Sequence, residues 1–271
     1  MTQKPRLAVS DFGVTKYVCQ NRVATITLNR PERRNALSYR AYDELEAAFR
    51  QASGDLDVRC VIVTGADPAF CSGDDVREIM SGPNAAIRSE RTAAARPTPA
   101  AMAALECECP VIAAVNGPAI GWGMELALFA DIRIASERAK FAEMFVKRGL
   151  VSDVGGFYRL PSIVGPSKAA ELLFTGDLID AGEALRIGLV SELVPHELLL
   201  PRATELALRI AANPPLAVRA IKDGLRRASH GDARAIGTWA IENIYRLMKT
   251  EDHREGVASF LEKRAPHFTG R

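Results

Sequence analysis

Residues 116–130 read NGPAIGWGMELALFA, and the rest of the chain can be interpreted around them. The apolar run before them, at 111–115, predicts a buried strand bounded by Pro110 and Gly117. Glycines in the stretch predict a turn whose backbone a ligand can approach closely. Residues 124–130 then predict an apolar helix with a charge near its start, Glu125. A carboxylate in such a place is costly to bury, so it calls for a reason.

This strand–turn–helix pattern is typical of a site that stabilises an oxyanion. The first N–H groups of a helix are unpaired and carry partial positive charge, and the carboxylate beside them can act as a base. The same plan recurs earlier, with an apolar strand at 60–65 and a small-residue turn at 69–76 that leads into a short helix ending near Met80. An oxyanion hole usually takes two donors from two turns, so the repetition favours catalysis. The alternative is that the glycines only permit tight packing.

A third glycine-rich turn, at 148–156, contains a lone carboxylate, Asp153, and leads into a helix from about 157. Asp153 is therefore a second candidate catalytic carboxylate. Its alternative role is a helix N-cap, a position that aspartate favours. Asp75, in the earlier turn, is expected to cap its helix.

Composition excludes several classes of protein. The chain has 271 residues, 48% of them hydrophobic and 25% charged, which is ordinary for a globular domain. Its net charge of +2 gives no argument for a nucleic acid or an anionic membrane as partner. No apolar run is long enough to span a membrane, and residues 1–10 lack the apolar core of a signal peptide. The five cysteines and four histidines have no convincing metal-ligand spacing, so we expect a reduced, cytoplasmic protein without a metal.

Hydrophobic periodicity predicts the remaining elements. Further strands are expected at 14–19, 23–28, 131–135, 139–142 and 189–194. Helices are expected at 39–52, with Ser38 as cap, and at 167–174, 180–187, 197–212, 215–228, 233–249 and 251–263. Residues 81–101 are expected to form a surface loop that becomes helical toward Glu106. Strands that alternate with helices, followed by a helical tail, predict an α/β fold.

With its three turns placed, the chain resembles the enoyl-CoA hydratase/isomerase (crotonase) superfamily. Matching motifs occur in order over almost the whole length, at 26–31, 35–37, 70–75, 117–119, 121–128, 130–133, 155–156 and 255–271. The resemblance implies a crotonase-like spiral of repeated ββα units over 1–200. It also implies a C-terminal helical region over 201–271 that packs a homotrimer, often paired into a hexamer. The implied substrate is an acyl-CoA thioester that passes through an enolate, with no cofactor beyond the CoA of the substrate.

The resemblance also assigns the two oxyanion donors, to the backbone N–H groups of Asp74 and Trp122. Glycine is usual at the second position, so the indole of Trp122 is a departure. Contacts with the substrate or its CoA are implied for Arg33, Arg34, Ser72, Gly73, Gly121, Phe145 and Lys263. For the basic loop at 30–34, a solvated surface is the alternative.

The number and position of acidic residues distinguish between the reactions that this family catalyses. Glu125 matches the first of the two glutamates of the family's hydratases, whereas Phe145, which cannot transfer a proton, falls at the second. Asp153 occupies the position where isomerases of the family carry an acid. A hydratase needs two proton-transferring groups, so double-bond isomerisation is favoured. Hydration through Glu125 is the alternative. Less favoured are a CoA-ester dehalogenase, since no histidine precedes His196, and a non-catalytic acyl-CoA- or RNA-binding homologue.

Overall fold

The computed structural model describes residues 8–80, 97–229 and 231–271, so most of the predicted loop at 81–101 lies outside the described residues. The described strands form two sheets. The larger has the spatial order β1 (Ala8–Asp11), β2 (Thr15–Gln20), β3 (Val23–Leu28), β4 (Cys60–Gly65), β5 (Val111–Val115), β7 (Ile132–Ser136) and β10 (Glu192–Val194). The smaller has the order β6 (Pro118–Ile120), β8 (Lys140–Ala142) and β9 (Ile179–Asp180).

The chain alternates between the two sheets. Strands β1 to β3 are an antiparallel meander, and from β3 to β10 the large sheet is parallel. β5 lies in the large sheet and β6 in the small one, and β7 and β8 repeat this order, with parallel pairing in both sheets. The parallel strands of the large sheet are largely buried, as a sheet covered on both faces requires.

The longer helices confirm the predicted α/β class. They are α1 (Tyr39–Gly54), α2 (Pro99–Glu106), α3 (Trp122–Phe129), α4 (Leu160–Val164), α5 (Pro166–Thr175), α6 (Ala181–Arg186), α7 (Leu199–Ala211), α8 (Pro215–Ala228), α9 (Ala233–Leu247) and α10 (Glu251–Glu262). Short helical turns lie at Pro31–Arg33, Val76–Met80, Val146–Arg148, Gly155–Arg159 and His196–Leu198. Ser38 caps α1 as predicted, because its side chain accepts a hydrogen bond from Ala41 N at 3.1 Å.

Two element boundaries differ from the prediction. Helix α3 begins at Trp122, before the predicted start, because Gly121 is the last residue outside the helix, with φ of 54°. The strand predicted at 189–194 covers only Glu192–Val194. Leu189 and Val190 are buried in the core ahead of it, so their hydrophobicity reflects packing and not pairing.

Helix α7 covers one face of the large sheet. Its buried residues pack with side chains of β3, β4, β5 and β7, while the main core fills the other face. The helix crosses the expected boundary between 200 and 201, and the helices after it form the C-terminal region. Within the described ranges, no helix combines the length and the apolar character needed to cross a bilayer.

Candidate functional site

The turns at 69–76 and 116–123 lie against each other. Cys71 N donates to Pro118 O at 3.0 Å, and Ile120 N donates to Cys71 O at 2.9 Å. Gly123 packs directly on the Cys71 carbonyl, where any Cβ would collide with backbone atoms. The glycines are therefore needed for the close approach of the two turns, so the tight-packing interpretation holds as well.

The two predicted donor residues meet at this junction. Trp122 is the first residue of α3, so its N–H has no partner within the helix. A Cβ placed on Gly73, which has φ of 86° and precedes Asp74, would be 3.6 Å from Trp122 N. Asp74 and Trp122 both line a cavity of about 600 Å³. Residues of the two turns thus line one cavity.

The Trp122 side chain is buried and leaves room for the cavity. Its ring lies 4.7 Å from that of Tyr42 and 5.7 Å from that of Phe129, both edge-on. The hydroxyl of Tyr42 donates to Asp74 Oδ1 at 2.6 Å. Burial and the Asp74 carboxylate raise the pKa of Tyr42 well above its ordinary value, so this hydroxyl keeps its proton as a donor. The indole therefore links the two turns through Tyr42.

Glu125 is fully buried, and its carboxylate is bound by the third turn. Oε1 accepts hydrogen bonds from Ser152 Oγ at 2.6 Å, Asp153 N at 2.7 Å and Gly156 N at 3.4 Å, while Oε2 accepts one from Gly155 N at 3.3 Å. A Cβ on Gly155 would lie 2.6 Å from Glu125 Cβ, so this position requires glycine. The carboxylate thereby occupies the start of the helical turn Gly155–Arg159, where anions are stabilised.

Burial and hydrogen bonding act on this carboxylate in opposite directions. Burial is the larger effect and raises the pKa of Glu125 to about 7, opposed by the hydrogen bond from Ser152, while the nearby Asp153 charge raises it further. A group that titrates near neutral pH is suited to proton transfer. However, no part of Glu125 is exposed, and the cavity wall is formed by Ser152 and Asp153 in front of it.

Asp153 lines the cavity and has three partners. Its Oδ2 accepts from Thr98 Oγ1 at 2.7 Å and from Trp122 Nε1 at 3.4 Å, and its Oδ1 accepts from Val154 N at 2.8 Å. The N–H groups of Gly155 and Gly156, which a conventional N-cap would bind, are taken by Glu125. As a helix cap, the Asp153 side chain therefore binds only the N–H group of the next residue, Val154.

The cavity is lined by aromatic and polar side chains. Phe145 forms part of its wall, together with Tyr39, Tyr42 and Trp122. A smaller recess beside it is lined by Ser72, Gly73, Gly121 and Phe145, which the sequence assigned to substrate contacts. Among the residues that the structure describes, no cluster of His, Cys, Asp and Glu side chains is arranged to hold a metal ion.

The basic residues assigned to CoA are exposed. The carbonyls of Arg33 and Arg34 accept hydrogen bonds from Ser72, so this loop lies against the first turn. Lys263 ends α10 and is not part of the cavity wall, so its place near CoA phosphates stays a prediction. Asp75 accepts a long hydrogen bond from Glu78 N at 3.4 Å, in line with its predicted capping role. It also pairs with Arg30 at 3.0 Å.

Sequence reasoning missed three polar partners in the site. Ser152 and Thr98 hold the two carboxylates, and Glu143 lies behind Ser152 with its Oε2 at 3.4 Å from the serine Oγ. Glu143 lies two residues before Phe145 and was not among the predicted site residues. The apolar segment around it could have been the signal, since a carboxyl buried there needs a role.

Comparisons with known proteins agree with this architecture. Residues 19–271 match the family model described as enoyl-CoA hydratase/isomerase. The chain is 37% identical to a crotonyl-CoA hydratase of Syntrophomonas wolfei over 250 residues, covering 92% of this chain and 95% of that protein. It is 35% identical to the 1,2-epoxyphenylacetyl-CoA isomerase of Escherichia coli over 253 residues, with the same coverage of 92% and 95%.

Solved structures of related proteins also resemble this chain over nearly its whole length. An enoyl-CoA hydratase subunit from Geobacillus kaustophilus superposes with a TM-score of 0.87 at 36% identity, covering 97% of this chain and 100% of that one. The predicted crotonase fold is therefore confirmed. The chain therefore belongs to the enoyl-CoA hydratase/isomerase family of enzymes.

Proposed function

We propose that this protein isomerises the double bond of an enoyl-CoA thioester. The observation that carries the proposal is that Asp153 lines the same cavity as Asp74 and Trp122, with its Oδ2 accepting a hydrogen bond from Trp122 Nε1 at 3.4 Å. The residue at the family's second glutamate position, Phe145, is apolar and lines the same cavity. Asp43, Glu46 and Asp74 line the cavity as well, but Asp153 is the residue that the resemblance matches to the acid of the family's isomerases. An acid at this position beside an apolar wall favours moving a proton over adding water.

In the proposed reaction, the thioester oxygen is bound by the backbone N–H groups of Asp74 and Trp122. Asp153 removes a proton from the carbon next to the thioester, and the enolate charge moves onto that oxygen. The same proton then returns to the carbon two positions further along, which shifts the double bond into conjugation. Each oxyanion donor contributes about 3 kcal/mol to lowering such a barrier.

In this scheme Glu125 does not contact the substrate. Its carboxylate instead positions Asp153 by accepting a hydrogen bond from Asp153 N. A second candidate is hydration with Glu125 as the base, which its pKa of about 7 favours. That reaction requires Ser152 and the Asp153 backbone to move aside, since they cover Glu125. The CoA moiety is proposed to lie along the exposed loop of Arg33 and Arg34.

The test uses 3-enoyl-CoA and 2-enoyl-CoA in parallel, followed by the ultraviolet absorbance of the conjugated thioester. Isomerisation increases the absorbance with the first substrate and leaves the second unchanged, and Asp153→Asn abolishes the increase. Glu137→Gln, which removes an exposed carboxylate that does not line the cavity, is the control and should leave the increase unchanged. A decrease with 2-enoyl-CoA would instead establish hydration.

We also propose that the protein is a homotrimer or a pair of trimers. Apolar side chains of α9 and α10 are exposed in the single chain, among them Ile244, Tyr245, Phe260 and Leu261. Several large apolar side chains exposed on the C-terminal helices of a globular protein are consistent with an interface. Light scattering after size exclusion should give the mass of three or six chains, whereas a monomer at micromolar concentration would contradict the proposal.

A further inference from the structure

Glu143 directly follows β8 and is buried, with only 1% of its surface exposed. Its Oε2 lies 3.4 Å from Ser152 Oγ. Its Oε1 has no hydrogen-bond partner among the described residues. The carboxyl group thus lies in the core with one polar neighbour, an arrangement that is very unfavourable for a charged group.

The protons around Ser152 can be counted. Its hydroxyl has a single proton, and three acceptors surround it: Glu125 Oε1 at 2.6 Å, Glu143 Oε2 at 3.4 Å and the Asp153 carbonyl oxygen at 3.4 Å. The short contact identifies Glu125 as the group that receives the proton. The contact between Glu143 and Ser152 is then attractive only if Glu143 is the donor, which requires it to carry a proton.

Electrostatics lead to the same assignment. Burial raises the pKa of Glu143 well above its ordinary value, and the neighbouring Glu125 charge raises it further, against the smaller effect of Ser152. The groups that face Glu143 are Glu125 from α3 and Ser152 from the third turn, and neither is a cation. Glu125 has backbone N–H donors that stabilise its charge, whereas the described part of the chain provides no such donor to Glu143.

We propose that Glu143 is a positioning residue that acts as a neutral acid. It donates a hydrogen bond to Ser152, which directs the serine hydroxyl to Glu125 and leaves Glu125 as the charged member of the pair. The charged Glu125 then binds the N–H groups that fix the turn of Asp153. The inference rests on the proposed function only where it takes Asp153 as the reacting group.

This arrangement has a consequence at high pH. When Glu143 loses its proton, one serine hydroxyl faces two carboxylates and can donate to only one of them. The hydrogen bond from Ser152 to Glu125 is then no longer constantly formed, and the turn that carries Asp153 becomes less firmly held. We therefore expect a decline of activity at alkaline pH that depends on Glu143.

Infrared spectroscopy of the whole protein tests the protonation directly. At about pH 8, where ordinary carboxyl groups are ionised, the native protein should show the C=O stretching band of a protonated carboxyl. Glu143→Gln should remove this band, and Glu137→Gln, which removes an exposed carboxyl, should leave it. Absence of the band in the native protein, or its persistence in Glu143→Gln, would overturn the proposal. This readout does not depend on turnover, so it stands even if isomerase activity is absent.

Kinetics test the positioning role. Glu143→Gln keeps a donor toward Ser152 and cannot ionise, so kcat should stay within about threefold and the alkaline decline should disappear. Glu143→Leu has no donor, and kcat should fall about tenfold with little change in KM, as for the loss of one hydrogen bond. In a Ser152→Ala background the two variants should behave alike. Equal losses in both variants with serine present would show that Glu143 only fills space.

Discussion

The backbone N–H of Asp153 donates a hydrogen bond to Glu125 Oε1 at 2.7 Å, so the main chain of one carboxylate is held by the side chain of the other. The two residues are far apart in sequence and come from different repeats of the fold. Their relative position is therefore fixed by a charge-assisted bond and not by packing alone. A change in the charge of Glu125 should therefore alter the position of the Asp153 backbone.

The first prediction concerns this bond. In Glu125→Gln the amide can accept through one atom only, and its NH2 group faces N–H donors. We expect the free energy of unfolding to fall by about 1–3 kcal/mol, and turnover to fall at least tenfold because the turn of Asp153 is no longer fixed. Denaturant titration and initial rates measure the two effects. Glu137→Gln, at an exposed site, should change neither, and native turnover in Glu125→Gln would exclude both roles considered for Glu125.

A second prediction concerns the contact between the two donor turns. Gly123→Ala places a methyl group against the Cys71 carbonyl and must separate the turns. Because the two proposed oxyanion donors, Asp74 N and Trp122 N, then move apart, we expect kcat to fall at least a hundredfold, with the protein still folded. Gly54→Ala, at the end of α1 where a Cβ meets nothing within 4 Å, is the control. Equal rates in the two variants would refute this prediction.

The pH dependence of stability follows from the pKa of Glu125. This pKa is raised in the folded protein, from 4.5 to about 7, so the folded state holds a proton that the unfolded chain releases. The stabilisation is complete below the unfolded pKa and is lost as the pH rises toward 7. Unfolding free energies measured from pH 4.5 to 7.5 should therefore decline, and the decline should be smaller in Glu125→Gln. A decline in Glu125→Gln as steep as that of the native protein would contradict the assignment.

A substitution at Phe145 tests whether the protein favours isomerisation or hydration. Phe145→Glu places a carboxylate on the wall of the cavity, at the position that the resemblance matches to the second glutamate of the family's hydratases. We expect the ratio of hydration to isomerisation to rise at least tenfold, since a positioned acid or base typically contributes a factor of about 10² or more. Product analysis by chromatography measures the ratio. Phe145→Leu keeps the wall apolar and should leave the ratio unchanged.

The sequence predicted the elements of the site better than their orientation. The apolar run at 111–115 and the glycines after it were sufficient to place a strand, a turn and helix α3, because these depend on local pattern. That Glu125 turns away from the cavity could not be predicted, since its partners, Ser152 and the N–H groups of the third turn, belong to another repeat. The orientation of Trp122 likewise depends on Tyr42, which lies far away along the chain.

The binding of Gly155 N and Gly156 N by Glu125 has a consequence for how the site can change. The start of that helical turn is stabilised from outside, by a side chain of α3. The side chain at position 153 is therefore not needed to bind these N–H groups, and it can be replaced at little cost in folding. A scaffold built in this way can acquire a new reaction by substitution at a single position, while its architecture is inherited unchanged.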